Sequence, residues 1–348
     1  LMGVKEEIKK HIAELDPTHP TSGEDYERRN NYEATMIVAD GLIAYANRCA
    51  DLAEELSKDE GNVERADELG QIAKICRKVP AEPAETWWEA LQSLHFLHMG
   101  TILAEWGNSH SMGNFDQYMY PFLKKDLENG TITPKEAQTL LECFFCKCAE
   151  SRGGGYAEGS WGQGNNDRIT IGGQDSEGRD RSNLLSRMCL EAHAHVHLND
   201  PNISVRIHRN TSDEFLIMTL ESIRLGGGLP YIISDEAIIP SLLAIGVPLQ
   251  IARNYCDLGC QEVVTDPNIC QDADTYGQTN TGWFNIAKPI ELALWNGVNP
   301  VNGKQVGPAT GDPREFNTFG EFMKAVKIQF EYAVKQNVIM ANVWDYTQ

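Results

Sequence analysis

The sequence predicts an α/β protein in which helices alternate with short strands. Helical patterns cover most of its 348 residues, and short runs that favour strands lie between them at 167–173, 202–208 and 229–234. A hydrophobic content of 41% is ordinary for a globular protein with a buried core. We find no internal repeat and no Pro/Ser-rich linker, so we expect one large domain.

Several of the predicted helices begin with a capping signal. A threonine that is followed three residues later by a glutamate has the spacing of a capping box, in which each side chain binds the other residue's backbone N–H. The three pairs are Thr133 with Glu136, Thr211 with Glu214, and Thr318 with Glu321. The first 15 residues also read as an amphipathic helix.

The composition excludes several classes of function. A formal net charge of −20 disfavours binding to nucleic acid or to an anionic membrane surface. There is no apolar run long enough to span a bilayer and no signal peptide at the start, so we expect a cytoplasmic protein. The nine cysteines fit reduced thiols better than a disulfide framework.

Two clusters of potential metal ligands have simpler interpretations. The cysteines of 143–148 are spaced C-x-x-C-x-C, but on a helix the third points away from the first two, which favours core packing. The histidines of 193–197 would share one face of a strand, yet they follow a helical stretch, which favours a polar helix exit. The glycine-rich stretch 152–178 lacks the G-K-[ST] ending of a phosphate-binding loop. We therefore predict no metal site and no nucleotide site.

Two polar segments remain as candidate sites. Cys260 and Glu262 stand as G-C-x-E, and in an extended chain they would project to the same side. A nearby carboxylate disfavours a thiolate nucleophile but suits hydrogen abstraction paired with proton transfer. The stretch 108–126 is either a helix entry capped by Asp116 or the wall of a pocket. From these residues alone, structural and functional interpretations both stay open.

Six stretches in order resemble the glycyl radical enzymes related to pyruvate formate-lyase. They are FDQYMYPF (115–122), ITIGGQDSEGRD (169–180), PNISVRIHRNTSDEF (201–215), GGGLPYIISDEAIIPSLLAIGV (226–247), YCDLGCQE (255–262) and FNIAKPIELALWNGVNP (284–300). The resemblance implies a ten-stranded α/β barrel of two antiparallel half-barrels surrounded by helices, of which this chain holds part. It implies that residues 1–348 are the central part of that barrel domain.

The resemblance also implies the chemistry. Cys260 matches the cysteine that becomes a thiyl radical, and Glu262 matches the acid/base carboxylate of dehydratases and of C–N and C–S lyases. Gly259 stands where pyruvate formate-lyase has a second cysteine, which disfavours acyl transfer. Ser109 matches a substrate-contacting serine, while Asn108 and Asn280 replace a histidine and an aspartate. Trp283, with Trp161 and Tyr231, is an expected pocket aromatic.

The resemblance also implies a radical-storing glycine motif, which this sequence does not contain, and several partners. Its radical is stored on a glycine in a C-terminal R-V-x-G-[aromatic] motif, and RGGGY at 152–156 is not that motif. We expect no bound cofactor here, a radical-SAM activating enzyme as partner, a small-molecule substrate, a homodimer as full-length protein, and a cytoplasmic or microcompartment location. The alternatives are an arylacetate-type decarboxylase, a non-catalytic segment of a split enzyme, and a thiolate-nucleophile enzyme.

Overall fold

A computed structural model of the chain describes residues 1–15, 23–105, 110–150, 167–259, 261–265 and 285–347. The chain divides into two compact units, residues 1–275 and 276–348. The predicted α/β class is confirmed, because the first unit combines helices with a parallel sheet. Among the described residues, no helix is long and apolar enough to cross a membrane.

The first unit contains eleven helices and six strands in its described residues. The helices are α1 (Met2–Glu14), α2 (Gly23–Asp59), α3 (Val63–Lys78), α4 (Trp87–Glu105), α5 (Phe115–Tyr118), α6 (Tyr120–Asn129), α7 (Pro134–Glu150), α8 (Leu184–Val196), α9 (Asp213–Arg224), α10 (Asp235–Ala244) and α11 (Leu249–Arg253). The strands are β1 (Ser111–Asn114), β2 (Arg168–Gly172), β3 (Asn202–Ile207), β4 (Tyr231–Ser234), β5 (Cys256–Leu258) and β6 (Glu262–Val264).

Strands β1 to β4 form one parallel sheet in sequence order. The described residues between successive strands include helices, as parallel neighbours require a crossover connection. The three predicted strand runs became β2, β3 and β4, whereas β1 and the hairpin β5–β6 were not predicted.

The two faces of the sheet carry different side chains, and both are buried. Ile169 and Ile171 on β2, with Ile203 and Val205 on β3, join the main apolar core, which includes side chains of α7 and α8. The alternate residues of the same strands are polar: Arg168, Thr170, Ser204 and Arg206 are each at most 1% exposed. Because side chains alternate along a strand, one face builds the core and the other is a buried polar surface.

The capping predictions were correct for two helices and wrong for one. Thr133 and Glu136 exchange both bonds of a capping box, and the Thr318 hydroxyl accepts from the N–H of Glu321. Helix α9 is instead capped by Ser212, whose hydroxyl accepts from the N–H of Phe215. The Thr211 hydroxyl accepts from the N–H of His208 in the preceding loop. The cap therefore lies one residue later than predicted.

The prediction of core packing is correct for only one of the three clustered cysteines, whereas the prediction of a helix exit at the histidines is correct. Cys148 is buried as predicted, but Cys143 and Cys146 are exposed, because they lie on the outer face of α7. Residues 193–196 end α8 and His197 caps it with φ 46°, which confirms the helix exit. In the described ranges, no group of three or more His, Cys, Asp or Glu side chains is arranged to hold a metal ion.

The second unit, in its described residues, is built on helices α12 (Ala287–Leu294) and α13 (Phe319–Thr347). Ala293 on α12 packs with Ala325 and Val326 on α13 in a small apolar core of its own. The amide of Gln329, on the same helix, donates to the carbonyl of Pro308 at 2.7 Å. This core and this bond hold the loop between the two helices.

Candidate active site

The G-C-x-E segment forms the tip of a hairpin. Strands β5 and β6 pair antiparallel, with Leu258 opposite Glu262, so that residues 259–261 connect them. Cys260 lies outside the described residues, but both its chain neighbours have left-handed backbones, with φ 49° at Gly259 and 80° at Gln261. Three-residue hairpin connections commonly need such a conformation.

This geometry corrects the argument that Cys260 and Glu262 share a side because the chain between them is extended. An extended residue has a negative φ, and Gln261 does not. Gln261 belongs to the connection between the strands, and Glu262 is the first residue of the return strand.

Strand β5 lies against the polar face of the sheet. The N–H of Asp257 donates to the hydroxyl of Thr170 at 3.0 Å. The Asp257 carboxylate accepts from the hydroxyl of Ser204 and pairs with Arg168 at 2.9 Å. Each partner is a polar residue of β2 or β3 on the buried polar face of the sheet. The hairpin therefore packs against that face.

Gly259, the residue before Cys260, is held at both its backbone groups. Its N–H donates to the hydroxyl of Ser111 on β1 at 2.9 Å, and its carbonyl accepts from Nε of Arg168 at 2.9 Å. The Arg168 guanidinium also lies over the ring of Tyr231, 4.8 Å from the ring centroid. The tip is therefore bonded to β1 and β2, and Arg168 links it indirectly to Tyr231 on β4.

A second buried arginine holds the base of the hairpin. Arg206 forms a two-point ion pair with Asp235 at 2.9 and 3.0 Å, and donates to the carbonyls of Tyr255 and Arg253 at 2.7 and 2.9 Å. Gly173 leaves space for this side chain, since a Cβ there would lie 2.7 Å from the guanidinium carbon of Arg206. The hydroxyl of Tyr255 completes the cluster by donating to Asp235 at 2.8 Å.

Burial raises the pKa values of two ionisable groups in strand β5. Burial raises the pKa of the Asp257 carboxyl, and the hydrogen bond from Ser204 and the charge of Arg168 oppose that rise. Burial likewise raises the pKa of the Cys256 thiol, although Arg206 works in the opposite direction. A thiol in β5 is thus kept protonated, which disfavours a thiolate nucleophile in the same strand.

Asp116 has a different role from the predicted helix cap. It is fully buried, and its carboxylate accepts from the N–H of Gly172 at 2.8 Å and from the hydroxyl of Ser186. Burial raises its pKa, and these two hydrogen bonds oppose the rise. Asp116 therefore ties the end of β2 to the start of α8. Ser111, from the same predicted stretch, does contact the hairpin.

Comparison with known proteins places this arrangement in a family. A family model described as pyruvate formate lyase-like matches residues 1–348. The chain belongs to the pyruvate formate lyase-like family. The resemblance expected from six short stretches is thereby confirmed over the whole of the given sequence.

Relatives that are about 35% identical to the chain include a lyase and dehydratases. The chain is 35% identical to an isethionate sulfite-lyase of Oleidesulfovibrio alaskensis over 352 residues, covering 98% of this chain and 41% of that protein. A structure concerned with 1,2-propanediol dehydration in Roseburia inulinivorans matches with TM-score 0.72 at 36% identity, over 99% of this chain and 42% of the other. The glycerol-bound B12-independent glycerol dehydratase from Clostridium butyricum also matches with TM-score 0.72 at 36% identity, over 98% of this chain and 42% of that structure.

The chain thus spans about two fifths of the length of these relatives. A more distant match, at 25% identity over 337 residues, is the glycyl radical subunit of a 4-hydroxyphenylacetate decarboxylase from Clostridioides difficile; it covers 90% of this chain and 37% of that protein. The identities therefore favour the lyase and dehydratase members over the decarboxylase. The α/β fold is shared with the solved structures, whereas closure of a ten-stranded barrel stays a prediction.

The predicted site residues fall mainly outside the described ranges. Glu262 is the one member of the predicted set that the structure describes, at the start of β6. The remaining predicted positions are Cys260, Asn108, Ser109, Asn280 and Trp283, with Trp161 among the expected aromatics. Their roles remain predictions. Tyr231, expected as a pocket aromatic, lies against Arg168 beside the hairpin.

Residues that sequence reasoning missed are those that seat the hairpin. Arg168, Ser204, Arg206 and Asp257 are all buried and all contact one another or the hairpin backbone. The available signal was the alternation R-I-T-I and N-I-S-V-R-I, in which one face is apolar and the other polar. Polar residues repeating at period two in strands that are otherwise apolar indicate a buried polar face.

Proposed function

We propose that this chain carries the cysteine hairpin of a glycyl radical lyase that eliminates a leaving group from a small polar substrate. The observation that supports this most directly is the hairpin itself. Its tip holds the G-C-x-E segment, and buried ion pairs seat it on the polar face of a parallel sheet. The lyase and dehydratase relatives, at 35 to 36% identity, agree with this assignment.

The reaction requires one hydrogen atom transfer and one proton transfer. The Cys260 sulfur radical takes a hydrogen atom from a substrate carbon that bears a hydroxyl, which leaves a carbon radical and an S–H bond. The Glu262 carboxylate accepts the proton of that hydroxyl while the group on the neighbouring carbon departs with its bonding electrons. The product radical then takes the hydrogen atom back from Cys260, which restores the sulfur radical.

The remaining parts of the proposal concern the rest of the enzyme. A glycine outside these 348 residues would store the radical, and a radical-SAM activating enzyme would install it. We expect the full-length protein to be a homodimer in the cytoplasm or in a bacterial microcompartment. No R-V-x-G motif occurs in the given sequence, so these parts rest on the family resemblance.

We assign substrate recognition to four residues on the basis of the family resemblance. Asn108, Ser109 and Asn280 would hydrogen-bond to polar groups of the substrate, and Trp283 would cover its apolar part. Two of these side chains, Asn108 and Asn280, are neutral amides where related dehydratases carry a histidine and an aspartate. We therefore expect a substrate that differs from a simple diol in at least one polar group.

The test uses the activated full-length enzyme that contains this chain. Cys260→Ser should abolish turnover, and Glu262→Gln should lower the elimination rate by about 10²-fold to 10⁴-fold, the usual range for a positioned general base. Glu236→Gln is the matched control, because Glu236 lies on the described surface and contacts the backbone of Arg209. Release of CO₂ in place of an elimination product would contradict the lyase proposal and favour the decarboxylase.

A further inference from the structure

We infer that Arg168, assisted by Ser111, is the positioning residue for Cys260. The inference rests on the proposed function, because it names the group that holds the proposed hydrogen-abstracting cysteine in place. Arg168 acts through Gly259, the residue that immediately precedes the cysteine.

The geometry gives Arg168 three partners in different parts of the site. Its Nε donates to the carbonyl of Gly259 at 2.9 Å, and its Nη1 donates to the hydroxyl of Ser204 at 2.7 Å. The same Nη1 pairs with the Asp257 carboxylate at 2.9 Å. One guanidinium thus links Ser204 on β3 to Asp257 on β5 and to Gly259 at the tip of the hairpin.

Only an arginine can make these contacts at once. The guanidinium is planar and presents five N–H donors in a fixed fork, whereas the lysine ammonium is a single compact charge on a flexible stem. The side chain is 1% exposed, and its guanidinium carbon lies over the ring of Tyr231, which gives the group a further contact. A rigid donor set of this kind fixes the direction of the carbonyl that it binds.

The fixed carbonyl of Gly259 determines the orientation of the peptide unit that joins it to Cys260. The carbonyl of Gly259 and the backbone N of Cys260 belong to one planar peptide unit, so fixing the carbonyl fixes that plane. The Ser111 hydroxyl binds the N–H on the other side of Gly259, which leaves this residue little freedom to rotate. A misplacement of a reacting group by about 1 Å can cost on the order of 10²-fold in rate, so such a hold has a direct consequence for hydrogen abstraction.

The competing explanation is that Arg168 only neutralises the buried Asp257. The two explanations differ for the Arg168→Lys variant. A lysine keeps the positive charge beside Asp257, but it cannot also hold the Gly259 carbonyl in the same fork. If Arg168 positions the tip, this variant loosens the hairpin tip and leaves the sheet intact. If Arg168 only neutralises Asp257, the Arg168→Lys variant leaves both the hairpin tip and the sheet as they are in the wild type.

The first measurement is amide hydrogen exchange on the 348-residue chain, read by mass spectrometry. We expect Arg168→Lys to speed exchange in a peptide spanning 257–264 by about tenfold or more, the effect of losing one hydrogen bond to a charged group. Exchange in the paired segment of β2 and β3 should stay unchanged. The control is Arg179→Lys, because Arg179 is 74% exposed and pairs with Asp175 outside the hairpin.

The second measurement is alkylation of individual cysteines on the same chain, which needs no radical and no substrate. Arg168→Lys should raise the reactivity of Cys260 severalfold relative to the exposed Cys143, while the buried Cys189 stays unreactive. Ser111→Ala removes only a hydroxyl and should produce a smaller change of the same kind. This second variant keeps the inference testable if Arg168→Lys does not fold.

The inference is overturned if Arg168→Lys and Ser111→Ala leave the hairpin exchange and Cys260 reactivity as in the wild type. It is also overturned if exchange rises in proportion across β2 and β3, because Arg168 would then act only on global stability. In the activated full-length enzyme, we expect Arg168→Lys to lower kcat about tenfold or more with little change in KM. An inactive wild-type enzyme would refute the proposed function, whereas the exchange and alkylation results would still decide whether Arg168 holds the tip.

Discussion

Replacing Arg206 by methionine should destabilise the first unit strongly. The Arg206 and Asp235 side chains are each 0% exposed and are joined at two points, 2.9 and 3.0 Å. Methionine removes the positive charge and leaves the Asp235 carboxylate buried without its counter-ion. It also removes the donors to the carbonyls of Tyr255 and Arg253 at the base of the hairpin.

The magnitude follows from these contacts. Removing one partner of a buried ion pair costs about 3–5 kcal/mol, since the other charge stays buried and uncompensated. The two carbonyls that lose a charged donor place the expected loss towards the upper end of that range. Replacing both charged residues, as in the double variant Arg206→Met with Asp235→Leu, removes the orphaned charge and should recover at least about 1 kcal/mol.

The assay is urea unfolding of the 348-residue chain, followed by circular dichroism. The matched control is Arg209→Met, because the Arg209 side chain is 78% exposed and pairs with Glu236, next to Asp235 in sequence. An exposed pair of this kind contributes about 0–1 kcal/mol. The reasoning fails if Arg206→Met costs no more than Arg209→Met, or if the double variant is less stable than Arg206→Met alone.

Two further predictions concern the end of β2. Burial raises the pKa of Asp116 above its ordinary value of 3.8, so the stability that this group contributes is present below that pH and is lost as the pH rises through its native pKa. The Asp116→Asn variant should show a smaller loss of stability with rising pH, measured as urea midpoints across the acidic range. If the pH dependence of the midpoint is unchanged, the loss of stability comes from other groups. Gly172→Ala should cost more than the roughly 1–2 kcal/mol of a left-handed backbone alone, because its Cβ would lie 2.8 Å from the Arg206 carbonyl oxygen. Gly226→Ala, at φ 98° with no described atom within 4 Å of its Cβ, measures the backbone cost by itself in the same unfolding assay.

The strands that could be predicted are those with a continuous local pattern. The runs at 167–173, 202–208 and 229–234 contain β-branched residues and became β2, β3 and β4. Strand β1, with sequence S-M-G-N, has no β-branched residue and exists because its neighbour β2 pairs with it. Such a strand depends on tertiary pairing, which a local pattern does not encode.

The hairpin was missed for a related reason. Strands β5 and β6 contain three residues each, too few for a period of two to be recognised. The chemistry of the tip stays a prediction, because it depends on the G-C-x-E motif and on five other ordered stretches that resemble the family. The contacts that hold the tip were not predictable, because Arg168 lies 91 residues away from Gly259 along the chain.

Two buried arginines make similar contacts on the polar face of the sheet. Arg168 and Arg206 occupy alternate polar positions on neighbouring strands, and each donates to a backbone carbonyl of the hairpin as well as to a buried aspartate. Arg206 holds the base and Arg168 holds the tip. Each charge is thus paired on the face of the sheet opposite the apolar core. The alternation of apolar and polar residues along β2 and β3 therefore encodes both the fold and the seat of the proposed cysteine.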